Sequence, residues 1–225
     1  MKRLILALLI LWPGWVVGAD YYTSTTAITQ VRSILNETTA SFWTDTELGN
    51  WIKEATEAIS ARSLCIQDTD TFLLVTSQYE YTDLVTNGAA GVTDIVKVWG
   101  AIYLNPDGEY IGLKRISPMQ ISDLPHMKSG PPIYYYHFDD KIGIFPLPAS
   151  GQNGDSVKIY FSKQSQTIGD LPNEYQPLTF WYAASLAYKK EHRYTESDKF
   201  YQMYLEALNA LKQELYNVPS EQPTK

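Results

Sequence analysis

Apolar residues recur at helical spacing in the first third of the chain, among polar and charged positions. This periodicity predicts a short helix capped by Thr25 or Thr26 and a second amphipathic helix that ends near Ser63. We therefore expect a helix pair over residues 25–63. The apolar positions of the pair are Ile28, Val31, Ile34, Leu35, Leu48, Ile52, Ala55 and Ile59.

The start of the second helix has a local signature of its own. Thr44 and Glu47 have the spacing of a capping box, in which each side chain bonds the backbone N–H of the other residue. Trp43 and Leu48 flank this box at the two positions of a hydrophobic staple. These four residues predict that a helix begins here.

Between residues 70 and 165 the pattern changes toward the alternation that is typical of strands, and β-branched and aromatic residues accumulate. Asn105 to Gly108 and Asp139-Asp140 are turn sequences, each between two such runs, and they predict two hairpins. Ser117-Pro118 predicts a short helix in the middle of the insert. The strands are predicted at residues 72–75, 79–81, 95–104, 110–114, 133–138, 141–145 and 157–161.

Helical spacing returns in the last quarter of the chain. Residues 178–192 predict a helix with small side chains that let another helix approach closely, and Thr195 or Asp198 can cap a last helix that packs antiparallel to it. The fold class is thus α+β: a helical bundle, built from the N-terminal pair and a C-terminal antiparallel hairpin over 176–216, with an antiparallel β-rich insert. Residues 20–216 are expected to form one domain, and 217–225 a flexible tail.

The first nineteen residues have a different character. A short positive start precedes an almost wholly apolar stretch from Leu4 to Val17, and Val17-Gly18-Ala19 suits a signal peptidase. At about 1.5 Å per residue the stretch reaches roughly 21 Å, short of the about 30 Å hydrocarbon core, so a stable membrane span is disfavoured. Residues 1–19 are interpreted as a signal peptide, as a hydrophobic arm docked on a neighbouring subunit, or as the product of an upstream start site.

Composition adds an aromatic excess and an acidic balance. The chain has 17 Tyr, 6 Trp and 7 Phe, residues that protein interfaces and carbohydrate-binding surfaces both favour. Its net charge is −7 and it contains no run of Lys or Arg, which argues against tight nucleic-acid binding. A single cysteine, Cys65, excludes an intramolecular disulfide framework and is expected to be a buried structural thiol.

The sequence offers no combination of residues that would carry catalysis. His126, His137 and His192 lie on different predicted elements without metal-ligand spacing, and neither a phosphate-binding loop nor a nucleophile elbow is present. Asp139-Asp140 has the character of a solvated turn. We predict no catalytic, cofactor-binding or metal site, and a protein that is not an enzyme.

Several landmarks follow one another in an order that resembles the head-to-tail adaptor, or connector, proteins of tailed bacteriophages, over roughly residues 24–216. The landmarks are the segments Phe42 to Leu48, Trp51-Ile52, Gly130 to Tyr134, Ile142 to Pro148 and Leu171-Pro172, followed by Tyr175, Ala183-Ala184, Ala187 to Lys190 and Tyr201.

The resemblance implies a structural virion protein, assembled in the host cytoplasm, that joins the portal to the tail or nozzle proteins. It implies a dodecameric ring around a channel through which DNA leaves the capsid, and no active site. An acidic channel wall would repel phosphate and let the duplex slide.

Function would then lie in subunit contacts made by the aromatic-rich β insert and the terminal helices. The alternative is an exported periplasmic binding or scaffold protein that uses the tyrosine-rich strand at 134–136 as a ligand platform. The candidate interface residues are Trp43, Trp51, Tyr134, Tyr135, Tyr136, Phe145, Trp181 and Tyr201.

Overall fold

The computed structural model describes residues 22–37, 39–81, 94–124, 129–139 and 141–216. The interpreted N-terminal segment, residues 1–19, and the predicted tail, residues 217–225, lie outside the described residues. Within the described ranges, no helix is long and apolar enough to cross a membrane.

Four helices frame the described part of the chain, and the predicted α+β class is confirmed. They are α1 (Ser24–Leu35), α2 (Asp45–Ser63), α3 (Gln176–Lys190) and α4 (Tyr194–Tyr216). α1 begins slightly earlier than predicted, because Thr23, rather than Thr25 or Thr26, is its cap. The Thr23 hydroxyl accepts the Thr26 N–H at 3.3 Å, and the Thr26 hydroxyl oxygen accepts the Thr23 N–H at 2.8 Å.

The capping box predicted at the start of α2 is present. The Thr44 hydroxyl accepts the Glu47 N–H at 3.2 Å, and Glu47 Oε2 accepts the Thr44 N–H at 3.1 Å. The predicted caps of α4 were wrong, since Thr195 and Asp198 both lie inside that helix. The first residue of a helix depends on which side-chain hydroxyl accepts a free backbone N–H. Several neighbouring threonines fit the same sequence pattern, so the pattern alone does not identify the capping residue.

The four helices pack around two sets of apolar side chains. Ala183, Ala184 and Ala187 of α3 are fully buried, and their small side chains allow α1 and α2 to approach α3 closely. Farther along, Tyr204 and Leu208 of α4 pack with residues of α2 and α3. The first set includes Ala27, Val31, Leu35, Trp43, Leu48, Ile52 and Phe180, and the second Ile59, Leu171, Tyr175 and Leu178.

Glu47 also links the start of α2 to the end of α3. Its Oε1 atom lies 2.6 Å from Lys190 Nζ. The hydrogen bond from Lys190, together with the bonds from Thr44, lowers the pKa of Glu47 to about 2 from its ordinary value of 4.5. Between these two pH values the unfolded chain binds a proton that the folded chain does not, so the contribution of Glu47 to stability is lost as the pH falls from about 4.5 to about 2.

We expect Glu47→Gln to lower the stability of the protein at pH 7 and to have a diminishing effect below pH 4.5. Urea unfolding of both proteins at pH 7, 4 and 2.5 measures the difference. Glu206→Gln, at an exposed position of α4, removes the same charge and serves as the control. A wild-type-to-variant difference that stays constant over this pH range would contradict the assignment.

In the described ranges, eight strands form two four-stranded sheets. Sheet A has the order β1-β8-β3-β4 and is antiparallel throughout, and sheet B has the order β2-β7-β6-β5. The strands are β1 (Gln67–Leu73), β2 (Glu80–Tyr81), β3 (Ile95–Leu104), β4 (Tyr110–Gly112), β5 (Lys114–Arg115), β6 (Tyr134–Phe138), β7 (Lys141–Phe145) and β8 (Ser156–Lys163).

Both predicted hairpins are confirmed, as β3-β4 and β6-β7, and the short helix after Ser117 is a 3-10 helix over Pro118–Asp123. The insert is not wholly antiparallel, however, because β5 pairs with β6 in parallel. The chain leaves β4 at Leu113 and enters sheet B as β5, and after the 3-10 helix it re-enters the same sheet as β6. This pairing depends on where the chain passes from one sheet to the other, and no local sequence pattern predicts that position.

Each sheet contributes one face to a shared core. Along the strands of sheet A, the core residues alternate with residues that point to the opposite face, as the pleat requires. The core side chains are Phe72, Val98, Ala101, Tyr103, Val157, Ile159 and Phe161 from sheet A, and Tyr81, Tyr135, Ile142 and Ile144 from sheet B. The other face of sheet A, which we call the outer face, therefore points away from the core.

Candidate assembly interface

Three of the candidate interface residues are buried within the chain itself. Trp43 packs among the helices and donates its indole N–H to the carbonyl oxygen of Ala187 at 3.3 Å. Tyr135 lies in the core between the sheets, and Tyr136 covers Gly143 of the neighbouring strand. Their exposed fractions are 4%, 2% and 2%, so they have almost no surface to present to a second molecule in this conformation.

The remaining candidates are more accessible. Trp51, Tyr134, Phe145 and Trp181 are half-buried, and Tyr201 is exposed. Their role in subunit contacts stays a prediction.

The tyrosine run at 134–136 does not form an open ligand platform. The side chain of Tyr136 is enclosed on sheet B, where its hydroxyl donates to Glu80 Oε1 at 2.9 Å. Burial and the neighbouring Glu80 carboxylate raise the pKa of Tyr136 well above its ordinary value. With Tyr135 and Tyr136 both covered, nothing in the structure favours the periplasmic alternative.

The outer face of sheet A is the aromatic surface that does stand open. Leu73, Trp99, Tyr110 and Tyr160 are 45%, 40%, 74% and 38% exposed. They share this face with half-buried aliphatic side chains and with lysines. The further members of the face are Lys97, Ile102, Leu104 and Lys158.

Trp99 reaches this face through a β-bulge. The register between β3 and β8 shifts between Val98, opposite Phe161, and Gly100, opposite Tyr160, which leaves Trp99 as the extra residue. Its indole N–H donates to the Ser162 hydroxyl at 2.7 Å, and that hydroxyl donates to the carbonyl oxygen of Leu64 at 3.1 Å. The ring is thus held in place before any partner arrives.

Two lysines lie against the aromatic rings of the outer face. Lys97 Nζ is 3.8 Å from the centroid of the Trp99 ring, and Lys158 Nζ is 5.3 Å from that of Tyr160. Among the described residues, no carboxylate oxygen comes within 4 Å of either ammonium group, whereas Lys141, Lys163 and Lys190 each form an ion pair. The face therefore combines exposed apolar surface with two positive charges that form no ion pair with any described residue.

The two edges of sheet A differ in whether they are open to pairing. At the β1 edge the ladder with β8 uses the even-numbered residues of β1, as the bond from Leu74 N–H to the Asp155 carbonyl and the matching register show. The N–H groups of Thr69 and Thr71 therefore point outward. Asp68 and Asp70 accept them through their carboxylates at 2.8 and 2.7 Å, so these N–H groups are already occupied.

At the opposite edge, β4, no described side chain bonds the outward backbone groups. Ile111 is the residue whose backbone bonds to β3, because Leu113 N–H bonds Ala101 and Asn105 N–H bonds Glu109 on either side of it. Tyr110 and Gly112 consequently direct their N–H and C=O groups outward. All three residues of β4 are exposed, and no described side chain covers those groups. This is an edge that a second chain can approach.

The groups considered earlier for chemistry do not converge on one site. Burial raises the pKa of the half-buried Cys65 thiol, which keeps it protonated. His137 is half-buried near Arg115, His192 is exposed, and His126 lies outside the described residues. In the described ranges, no three His, Cys, Asp or Glu side chains are grouped so that they could hold a metal ion.

A helical frame that carries two small sheets, with an open aromatic face and one open edge, has the anatomy of an assembly protein. The SU10 adaptor protein family model matches residues 22–223, which is nearly the whole chain. The chain therefore belongs to the SU10 adaptor protein family. The predicted adaptor resemblance is confirmed, and with it the assignment as a structural head-to-tail adaptor.

Two solved assemblies contain chains with some likeness to this one. One is the neck of an empty GTA particle computed with C6 symmetry, at 14% identity and a TM-score of 0.31. The other is the virion of a native gene transfer agent particle, at 16% identity and a TM-score of 0.28. Each match covers 77% of this chain and 80% of the other. Likeness at this level carries no weight for function, and no curated protein matches the chain.

The exposed position of some outer-face residues could have been predicted from the alternation of residues along a strand, although not from composition. In β8, Lys158 and Tyr160 alternate with Val157, Ile159 and Phe161, which places the two sets on opposite faces. An aromatic residue out of phase with the core residues of a strand indicates an exposed ring. The position of Trp99 could not be read in this way, because the bulge breaks the alternation.

Proposed function

We propose that this adaptor assembles into a closed homo-oligomeric ring between the portal and the tail of a virion, and that duplex DNA passes through its centre. The observation that carries the proposal is the family match over residues 22–223. The ring is dodecameric, the size that the family resemblance implies. Self-association uses surface that the isolated chain leaves exposed.

The acidic charge of the chain suits passage of DNA better than its retention. A protein that holds DNA neutralises phosphates with a cluster of Lys and Arg, and this chain has 18 basic against 25 acidic side chains, without a basic run. An acidic channel wall repels the duplex and lets it slide. The adaptor has no catalytic step of its own, and the role is carried by contacts alone.

The experiment is to purify the adaptor alone and with the portal of the same virion, and to measure particle masses by mass photometry and electron microscopy. We expect rings that add to the portal. An electrophoretic assay with duplex DNA in 50 mM salt, a condition that favours any phosphate contact, is expected to show no tight complex. Monomers alone in both samples would contradict the proposal.

A further inference from the structure

We infer that the outer face of sheet A, together with the open β4 edge, is the surface that each copy of this chain presents to the next copy in the ring. The inference rests on the proposed function and adds the location of one side of the subunit contact. The occupant is a second copy of this chain. Two features of the surface mark it as an interface, and a third, its charge, supports this choice of occupant.

The first feature is a set of exposed apolar side chains on a rigid base. Trp99 is anchored by its hydrogen bond to Ser162, which is fully buried. An aromatic ring that is already fixed loses little conformational entropy when a partner covers it, and such rings dominate binding energy at interfaces. Trp99 and Tyr160 also border a hollow of about 150 Å³, with Gln67, Asp68, Thr69 and Phe161 on its other sides.

The second feature is the difference between the two edges of the sheet. Natural sheets cover their exposed edges, because unpaired N–H and C=O groups invite other chains. Here Asp68 and Asp70 occupy outward N–H groups of β1, while no described side chain bonds the outward groups of Tyr110 and Gly112 in β4. An open edge that is continuous with the apolar face marks the side from which a partner approaches.

The third feature is charge. Lys97 and Lys158 are the cations of the face, and neither has an acidic partner among the described residues. With these two set aside, the other 16 of the 18 basic side chains stand against 25 acidic ones. The surface of a second copy is therefore the acidic surface that this face would attract. Two lysines are too few for tight binding of duplex DNA, which needs many phosphate contacts.

The contact is heterologous, as a ring with more than two members requires. The outer face of one copy meets a different, acidic surface of the next, and Asp68 and Asp70, which bond two outward N–H groups of β1, disfavour the continuation of one sheet into another. Charge reversal on the outer face should therefore weaken every contact in the ring by the same amount.

The test compares a double charge reversal on the outer face with the same reversal elsewhere, and adds a single charge at the open edge. Lys97→Glu/Lys158→Glu reverses both cations of the face, and Tyr110→Asp places a charge at the open edge. Lys53→Glu/Lys199→Glu makes the same change at exposed positions of α2 and α4 and is the matched control. We expect the first two variants to need at least 10-fold more protein for half-assembly by mass photometry, and the control to assemble like the wild type.

Assembly of the wild-type protein tests the proposed ring function separately from the proposed location of the subunit contact. If the wild-type chain never forms rings, the proposed function fails. If wild-type rings form and the outer-face variants assemble equally well, or the control loses assembly to the same degree, the inference alone is overturned. Circular dichroism checks that each variant is folded.

A second measurement needs no variant. Hydrogen exchange of the wild-type protein should show that the amides of Tyr110 and Gly112 become protected on assembly. Unchanged exchange at β4 in the ring, or outer-face variants that lose duplex DNA binding and keep their assembly, would also overturn the inference.

Discussion

Gly143→Ala is expected to lower the free energy of unfolding by about 3 kcal/mol, in the range of severe overpacking of a core. A Cβ at this position would overlap the ring of Tyr136, which is 2% exposed. The ring has no room to retreat, because Tyr79 contacts it at a centroid distance of 5.8 Å and its hydroxyl is bonded to Glu80. Urea unfolding followed by tryptophan fluorescence measures the loss.

Gly100→Ala is the matched control for this substitution. Gly100 also lies within a strand, but a Cβ there would meet no atom within 4 Å, so the variant should be as stable as the wild type or slightly more stable. The cost of Gly143→Ala should also shrink in a Tyr136→Leu background, because the clash is with the tyrosine ring. Equal costs in both backgrounds would show that the ring is not the cause.

Arg32→Met is expected to cost about 2 kcal/mol, because it removes the buried cation from a network in which the side chain of Glu37 is 13% exposed but that of Asp45 is 67% exposed. Arg32 is 6% exposed and joins α1 to the start of α2. Its guanidinium donates to Asp45 Oδ1 at 2.6 Å and to the Trp43 carbonyl oxygen at 2.8 Å, and it lies 3.2 Å from Glu37 Oε2. Methionine keeps the apolar stem but leaves these acceptors without a donor.

The network around Arg32 also includes the loop before α2. Although burial opposes it, the backbone N–H groups of Phe42 and Ser41, with Arg32, lower the pKa of Glu37. Loss of Arg32 should therefore release this loop as well as weaken the helix contact. Arg193→Met removes an arginine that pairs with Glu196 on the surface, and it should have a much smaller effect in the same urea titration. Equal effects of the two variants would contradict the role of burial.

The sequence was sufficient where the determining interactions are local. The capping box at Thr44 and Glu47 and the turn at Asn105 to Gly108 involve residues within a few positions of one another, and both were predicted and found. The parallel pairing of β5 with β6 was missed, because it depends on the path of the chain between two sheets.

The aromatic residues show a different limit. Composition and strand alternation placed Tyr135 and Tyr136 among the interface candidates, yet Tyr135 lies between the sheets and Tyr136 packs over Gly143 and against Tyr79. A tyrosine in a strand suits a core and an interface equally well, since its ring is apolar and its hydroxyl needs one partner. Only the tertiary structure, here the position of the second sheet, decides whether such a tyrosine lies in the core or at the surface. For the same reason, the exposure of Trp99 and Tyr160 was recognised only from the structure.

The carboxylates of Asp68 and Asp70 on the rim of β1 bear on the size that an assembly can reach. A sheet that can pair with a further strand at both edges can extend without limit, as amyloid fibrils do. In sheet A, the two carboxylates disfavour pairing at one edge, so unassembled copies in the host cell should not polymerise edge to edge. Solubility before incorporation and a finite final particle would then follow from the same pair of acidic side chains.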